Sequence, residues 1–162
     1  FVGFIVIGAI FIAAIAIIML SVGHVDVSMD DDSITIDATM MKKDIRYDKI
    51  DHIELRDDFN AGKRVGGYST PKFSTGNFKN AEFGKYKLAI HKGVMPVVVI
   101  YCLNGDVVVF NTNDPDCTRA MAEELNGHLK ADVKLHDDPK LFLPSSACDE
   151  YLASSRIQLT YT

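Results

Sequence analysis

The chain lacks most of the marks by which catalysts and secreted scaffolds can be told from sequence. Its three cysteines, Cys102, Cys117 and Cys148, are odd in number and fall in no CxxC or other metal spacing. They therefore specify neither a disulfide framework nor a zinc site. Free thiols in or near a core fit a reducing compartment. The five histidines, His24, His52, His91, His128 and His136, show neither i, i+4 nor HxH spacing, so no metal site is expected. No GxSxG, P-loop or dinucleotide fingerprint is present, and the glycines between Gly62 and Gly67 lack the spacing and the following helix that such a loop needs. Asp51-His52 and His136-Asp137 set a carboxylate beside an imidazole. Adjacent residues on a strand point to opposite faces, so neither pair is expected to form a dyad. The absences exclude no chemistry outright, but they favour a role in binding, with no catalytic residue, no cofactor and no metal.

A different absence dominates the start of the chain. Residues 1–20 carry no charge and no side-chain hydrogen-bonding group, and thirteen of them are Ile, Leu, Val or Phe. Twenty helical residues span about 30 Å, the thickness of a bilayer's hydrocarbon core. The expectation is a transmembrane helix over residues 1–22 that anchors the chain. Two alternatives stay open: a signal peptide cut after Ser21-Val22-Gly23, and a buried core helix. The first Lys or Arg after this run is Lys42, so the positive-inside rule has nothing to count on this side. Free cysteines place the remaining domain on the cytoplasmic face.

The net charge of −5 conceals a segregation. From Arg56 to Lys92 there are eight Lys or Arg against three acids, while the flanks are acidic. Five of those cations, Lys63, Arg64, Lys72, Lys85 and Lys87, are expected to converge as a ligand- or lipid-binding patch. An acidic domain without a groove-reading basic helix excludes nucleic acid as a partner.

After Gly23 the apolar period becomes two. Val25, Val27 and Met29 alternate with polar residues, the turn Asp30-Asp31-Asp32-Ser33 follows, and Ile34-Thr35-Ile36-Asp37 alternates again, which predicts an antiparallel hairpin. Ile50, Ile53 and Leu55 predict a further strand after a corner at Tyr47-Asp48-Lys49. Residues 60–84 are rich in Gly, Ser, Thr and Asn, with Phe73, Phe78 and Phe83 every five residues. They predict a long connection with one or two short strands and the rings tucked beneath it. Tyr86, Leu88 and Ile90 alternate with Lys85 and Lys87, and residues 94–103 form a near-continuous apolar run. Asn104-Gly105 predicts a type I′ hairpin turn into Val107-Val108-Val109-Phe110. The period then becomes helical: Asp114 is placed to cap, Pro115 to open the first turn, and Cys117, Met121, Leu125 and Leu129 to form one apolar stripe. The segment 130–162 is an extension of uncertain structure, with one late strand suggested by Ile157, Leu159 and Tyr161.

Several local motifs go further. Lys63-Arg64-Val65-Gly66-Gly67-Tyr68, Gly76-Asn77-Phe78 and Glu82-Phe83-Gly84-Lys85-Tyr86-Lys87-Leu88 resemble the bacterial PH-like (pleckstrin-homology-like) domain proteins, as does Val107-Val108-Val109-Phe110-Asn111-Thr112-Asn113-Asp114-Pro115. The resemblance covers about residues 24–129. It implies a mainly β fold, a split barrel of antiparallel strands closed by one C-terminal amphipathic helix, behind hydrophobic helices. It brings no agreed catalytic site. Eukaryotic relatives take phosphoinositides on basic residues of the first hairpin, where this chain carries Asp30-Asp31-Asp32. The function expected is that of a membrane-anchored module binding a protein partner or a second copy. The alternatives are a sensor of anionic lipid through the basic segment, and an enzyme or enzyme subunit without a legible site.

Overall fold

The computed structural model describes residues 7–15 and 23–130. Residues 7–15 are helical (α1), and their Ile7, Ile10, Phe11 and Ile12 are exposed. The rest of the expected membrane helix over 1–22 lies outside the described residues. Among the described residues no helix is long and apolar enough to cross a membrane. The extension 131–162, with its suggested late strand, also lies outside them.

The domain is mainly β, with two sheets and a C-terminal helix. The first sheet has the order β1-β2-β3, built from Val25–Met29, Ser33–Ala38 and Met41–Arg46. Its first hairpin is antiparallel, as expected, with Val27 opposite Ile36 and Met29 opposite Ile34. A 3-10 turn at Tyr47–Lys49 leads into β4 (Ile50–Arg56). The second sheet has six strands in the order β4-β8-β9-β7-β6-β5, the others being β5 (Lys63–Ser69), β6 (Phe73–Asn80), β7 (Gly84–His91), β8 (Val97–Cys102) and β9 (Val107–Phe110). The helix α2 (Pro115–Lys130) follows.

Four expectations need correction. The sheets do not close into a barrel; they stay separate and stack through their apolar faces. The strands are not all antiparallel, because β9 pairs with β7 in parallel. The chain leaves β7, sets β8 one strand-width away, and β9 returns into the gap, antiparallel to β8. Residues 60–84 are more than a long connection with one or two short strands: β5 and β6 are a full hairpin, and β6 continues into β7 over eight paired positions. The turn into β9 also differs from type I′. The Gly105 amide donates to the Cys102 carbonyl, and Gly105 has φ +85° whereas Asn104 is not left-handed. That is a type I turn with a glycine bulge.

The odd spacing of the phenylalanines has a clear consequence. Five residues apart on one strand, Phe73 and Phe78 point to opposite faces of the six-stranded sheet. Phe73 joins a core with Ala89, Val98, Ile100, Val108 and Phe110 on one face, against the first sheet and α2. Phe78 joins a second core with Tyr86, Leu88, Val97, Val99 and Val109 on the other, with Phe59 and Phe83 packed against it. Both faces of β8 and β9 are therefore buried, which is why their sequences run apolar without alternation.

The helix follows its sequence signals. The Asp114 carboxylate accepts hydrogen bonds from the amides of Asp116 (2.7 Å) and Cys117 (3.2 Å), an N-cap. Cys117, Met121 and Leu125 are buried in the first core, and Leu129 is packed against it. The helix rests on β4, β8 and the 3-10 turn, with the rings of Tyr47 and His128 stacked at 4.3 Å.

Candidate functional site

The structure separates the five cations that were expected to converge. Lys63 on β5 lies opposite Lys79 on β6, and Lys79 lies opposite Lys85 on β7. These three exposed lysines form a row across neighbouring strands. Lys87, two residues along the same face, donates to the Asn77 side chain at 3.3 Å. Arg64 pairs instead with Phe78, so it belongs to the opposite face at the edge of the sheet. Lys72 lies in the β5–β6 turn, at the far end of β6 from the row. Seven residues separate it from Lys79, about 23 Å at strand rise. Its backbone carbonyl accepts from the Lys92 amide at 2.7 Å, and the Lys92 ammonium donates to Ser69 Oγ at 2.9 Å. The basic segment is thus two patches: Lys63, Lys79, Lys85 and Lys87 at one end, Lys72 and Lys92 at the other. Lys79 was missing from the expected site. It stood in the charge count, but reading residues 60–84 as a connection hid the register that aligns it.

Direct cross-strand lysine pairs repel, and a sheet gains nothing by keeping them. Among the described residues none of the four lysines forms an ion pair with a carboxylate. Beside Lys85 and Lys87 opens a cleft of about 340 Å³, lined also by Val65, Asn77, Phe78, Tyr86, Asp106 and Val107. Asp106 is its one acid. The Asn104 side chain and the Lys43 ammonium at 3.2 Å hold its carboxyl below the usual range, and the charge of Lys87 adds to this. Asp106 therefore stays ionised and engaged on the first-sheet side of the cleft.

The local backbone explains how the row is presented. Gly67 and Gly76 face each other across β5–β6 with φ of +123° and +119°, and a Cβ on either would collide with the opposing strand's carbonyls. Only glycine allows that close crossing. A bulge between Arg64 and Gly66 turns the end of β5 further. Bulges and lysines on an edge strand are the devices that resist strand addition.

A second constellation sits at β4. Arg56 is held by Glu54 (2.5 Å) and Glu82 (2.6 Å), reaches the Tyr101 hydroxyl at 3.2 Å, and lies 5.3 Å from the Phe83 ring centroid. The Glu54 carboxyl is lowered by its hydrogen bond from Arg56. This is a clamp between β4 and the β6–β7 turn. Contrary to the expectation for neighbours on a strand, His52 Nδ1 approaches Asp51 Oδ2 at 2.6 Å. A register shift between Ile50 and His52 removes the alternation there. The other ring nitrogen faces Glu54 at 3.9 Å, a second carboxylate, and the ring stacks on Tyr101. Two acids and an aromatic face orient this imidazole. Cys102 is half-buried with its thiol pushed up by burial, and Cys117 is buried. Among the described residues no group of three His, Cys, Asp or Glu could hold a metal ion.

What these elements define is a sandwich with a capped C-terminal helix and a cationic, side-chain-lined face. The model of the bacterial PH domain family matches residues 25–126. The chain belongs to that family, whose fold points to a binding or interaction module. No curated protein and no solved structure matches the chain.

Proposed function

We propose that this is a membrane-tethered, non-catalytic binding module that receives the acidic surface of a protein partner on the lysine face of β5, β6 and β7. Residues 1–22 are the tether, and the domain stands on the cytoplasmic side. The observation that carries the reading is the row Lys63–Lys79–Lys85, three like charges in direct register with no carboxylate paired to them among the described residues. An arrangement that opposes folding is retained where a ligand neutralises it. The cleft beside the row adds apolar lining from Val65 and Val107 and a polar group from Asn77, a mixture suited to a protein surface. The bulge of β5 and its exposed Lys63 and Arg64 argue against a second copy adding a strand there.

The test needs no knowledge of the partner's name. Lys79→Glu, at the centre of the row, turns two repulsive pairs into attractive ones. It should raise the thermal midpoint of the full chain and at the same time weaken its binding to a glutamate-rich peptide, with the wild-type affinity falling as salt rises. A Lys79→Glu variant that binds the peptide as wild type does, or is less stable, defeats the proposal. Loss of binding to anionic vesicles with peptide binding unchanged would give the face to lipid.

A further inference from the structure

We infer that the end of the domain at Gly23, bearing Met40, Lys72 and Lys92, lies against an anionic bilayer, so that the lysine row is held away from it. This rests on residues 1–22 being a membrane tether. Gly23 packs on the Phe73 ring so closely that a Cβ would collide with it. The place where the domain joins the apolar segment is therefore the Phe73 end of β6. Lys72 adjoins Phe73 in the chain, and the Lys92 amide bonds the Lys72 carbonyl. Neither lysine is paired with a carboxylate among the described residues, and both are exposed. Asp37, near the β2–β3 turn, is engaged by Lys42 at 3.1 Å and His24 at 3.5 Å, with Asp26 opposite it on β1–β2.

Met40 is the second, independent observation. It occupies the β2–β3 turn beside Thr39, whose amide bonds the His24 carbonyl and whose own carbonyl accepts from Thr75 Oγ1. The turn tip is thus fixed to the same end of the sandwich. Met40 has φ +63°, the only positive φ outside glycine among the described residues, and is 74 % exposed. A turn position that suits glycine or asparagine instead holds a long apolar side chain out in solvent. Beside a membrane tether, that side chain has a place to be buried: among acyl chains at the headgroup boundary, with Lys72 and Lys92 at the phosphates. The Asp30-Asp31-Asp32 turn is at the opposite end of β1, away from an anionic surface. The lysine row is six strand residues from Phe73, about 20 Å. This surface is distinct from the first hairpin.

The chain contains no tryptophan, so a single Trp introduced by substitution reports its own depth. Full-length M40W, P71W and V65W chains would be reconstituted in vesicles of phosphatidylcholine brominated in the acyl chains, mixed with phosphatidylglycerol. M40W and P71W emission should be quenched and blue-shifted, while V65W emission should match that in unbrominated vesicles. Lys72→Glu with Lys92→Glu should abolish the M40W quenching without releasing the chain from floating vesicles. Flotation with unquenched M40W and P71W, or quenching of V65W alone, overturns the apposition and leaves the tether standing. Failure to float with vesicles removes the tether and the apposition together.

Discussion

Leu125→Ala measures how much of the fold depends on α2. Leu125 is fully buried, one turn beyond Met121, in a core with Val98, Ile100 and Val108. The substitution removes three carbons, a transfer loss of about 2.4 kcal/mol at about 0.8 kcal/mol per group. The cavity left between helix and sheet adds to this, because two β-strands and a helix cannot collapse into it freely. The expected total is about 2.5–5 kcal/mol, against about 5–15 kcal/mol for a domain of ordinary stability. Urea denaturation of the full chain in detergent micelles, followed by the β-sheet signal in far-ultraviolet circular dichroism, should show a lower midpoint at unchanged slope. A loss below about 0.5 kcal/mol would mean that the helix merely covers the surface, and the architecture argued from the Asp114 cap and the apolar stripe would be wrong.

Two further substitutions test the sheet. Asn111 is fully buried; its side chain accepts from the His91 amide at 2.6 Å and donates to the carbonyls of His91 (3.1 Å) and Val94 (2.8 Å). Asn111→Ala should cost about 1–3 kcal/mol for each group left unpaired and inaccessible to water. Asn111→Asp should not rescue it, since a carboxylate has no donor for the two carbonyls; urea midpoints of the pair decide. Gly76→Ala should destabilise by more than about 1 kcal/mol, because alanine fits neither the positive φ nor the crossing with Gly67; a thermal midpoint equal to wild type would contradict that geometry.

Local chemistry was legible in the sequence, and long-range pairing was not. The β1–β2 hairpin followed from strict alternation on either side of an Asp-rich turn. The start of α2 followed from Asp114 and Pro115, because a cap is decided by residues two and three positions away. The parallel pairing of β9 with β7 left no such trace. It depends on β8 stepping over one strand position, and the Val-rich runs of β8 and β9 read alike in either arrangement. Asn111 stands in the sequence as one polar residue after the Val-rich run of β9, and its role as a clamp appears only when the ends of β7 and β9 come side by side. The grouping of the cations was hidden in the sequence for a related reason. Lys63, Lys79 and Lys85 are distant along the chain, and a register fixed by a bulge and a pair of glycines aligns them. Lys72 seemed near the others because it precedes the same strands, yet one β-strand's length carries it to the other end of the domain.

The most direct measurement of the central claim is a residue-resolved NMR titration of the isotope-labelled full chain in nanodiscs with a glutamate-rich peptide. Saturable, salt-sensitive shifts confined to residues 63–67, 77–79, 85–87 and 106–107 are expected, and Lys79→Glu should remove them. Shifts centred on Met40, Lys72 and Lys92 instead, or no saturable shifts on the lysine face, would contradict the account.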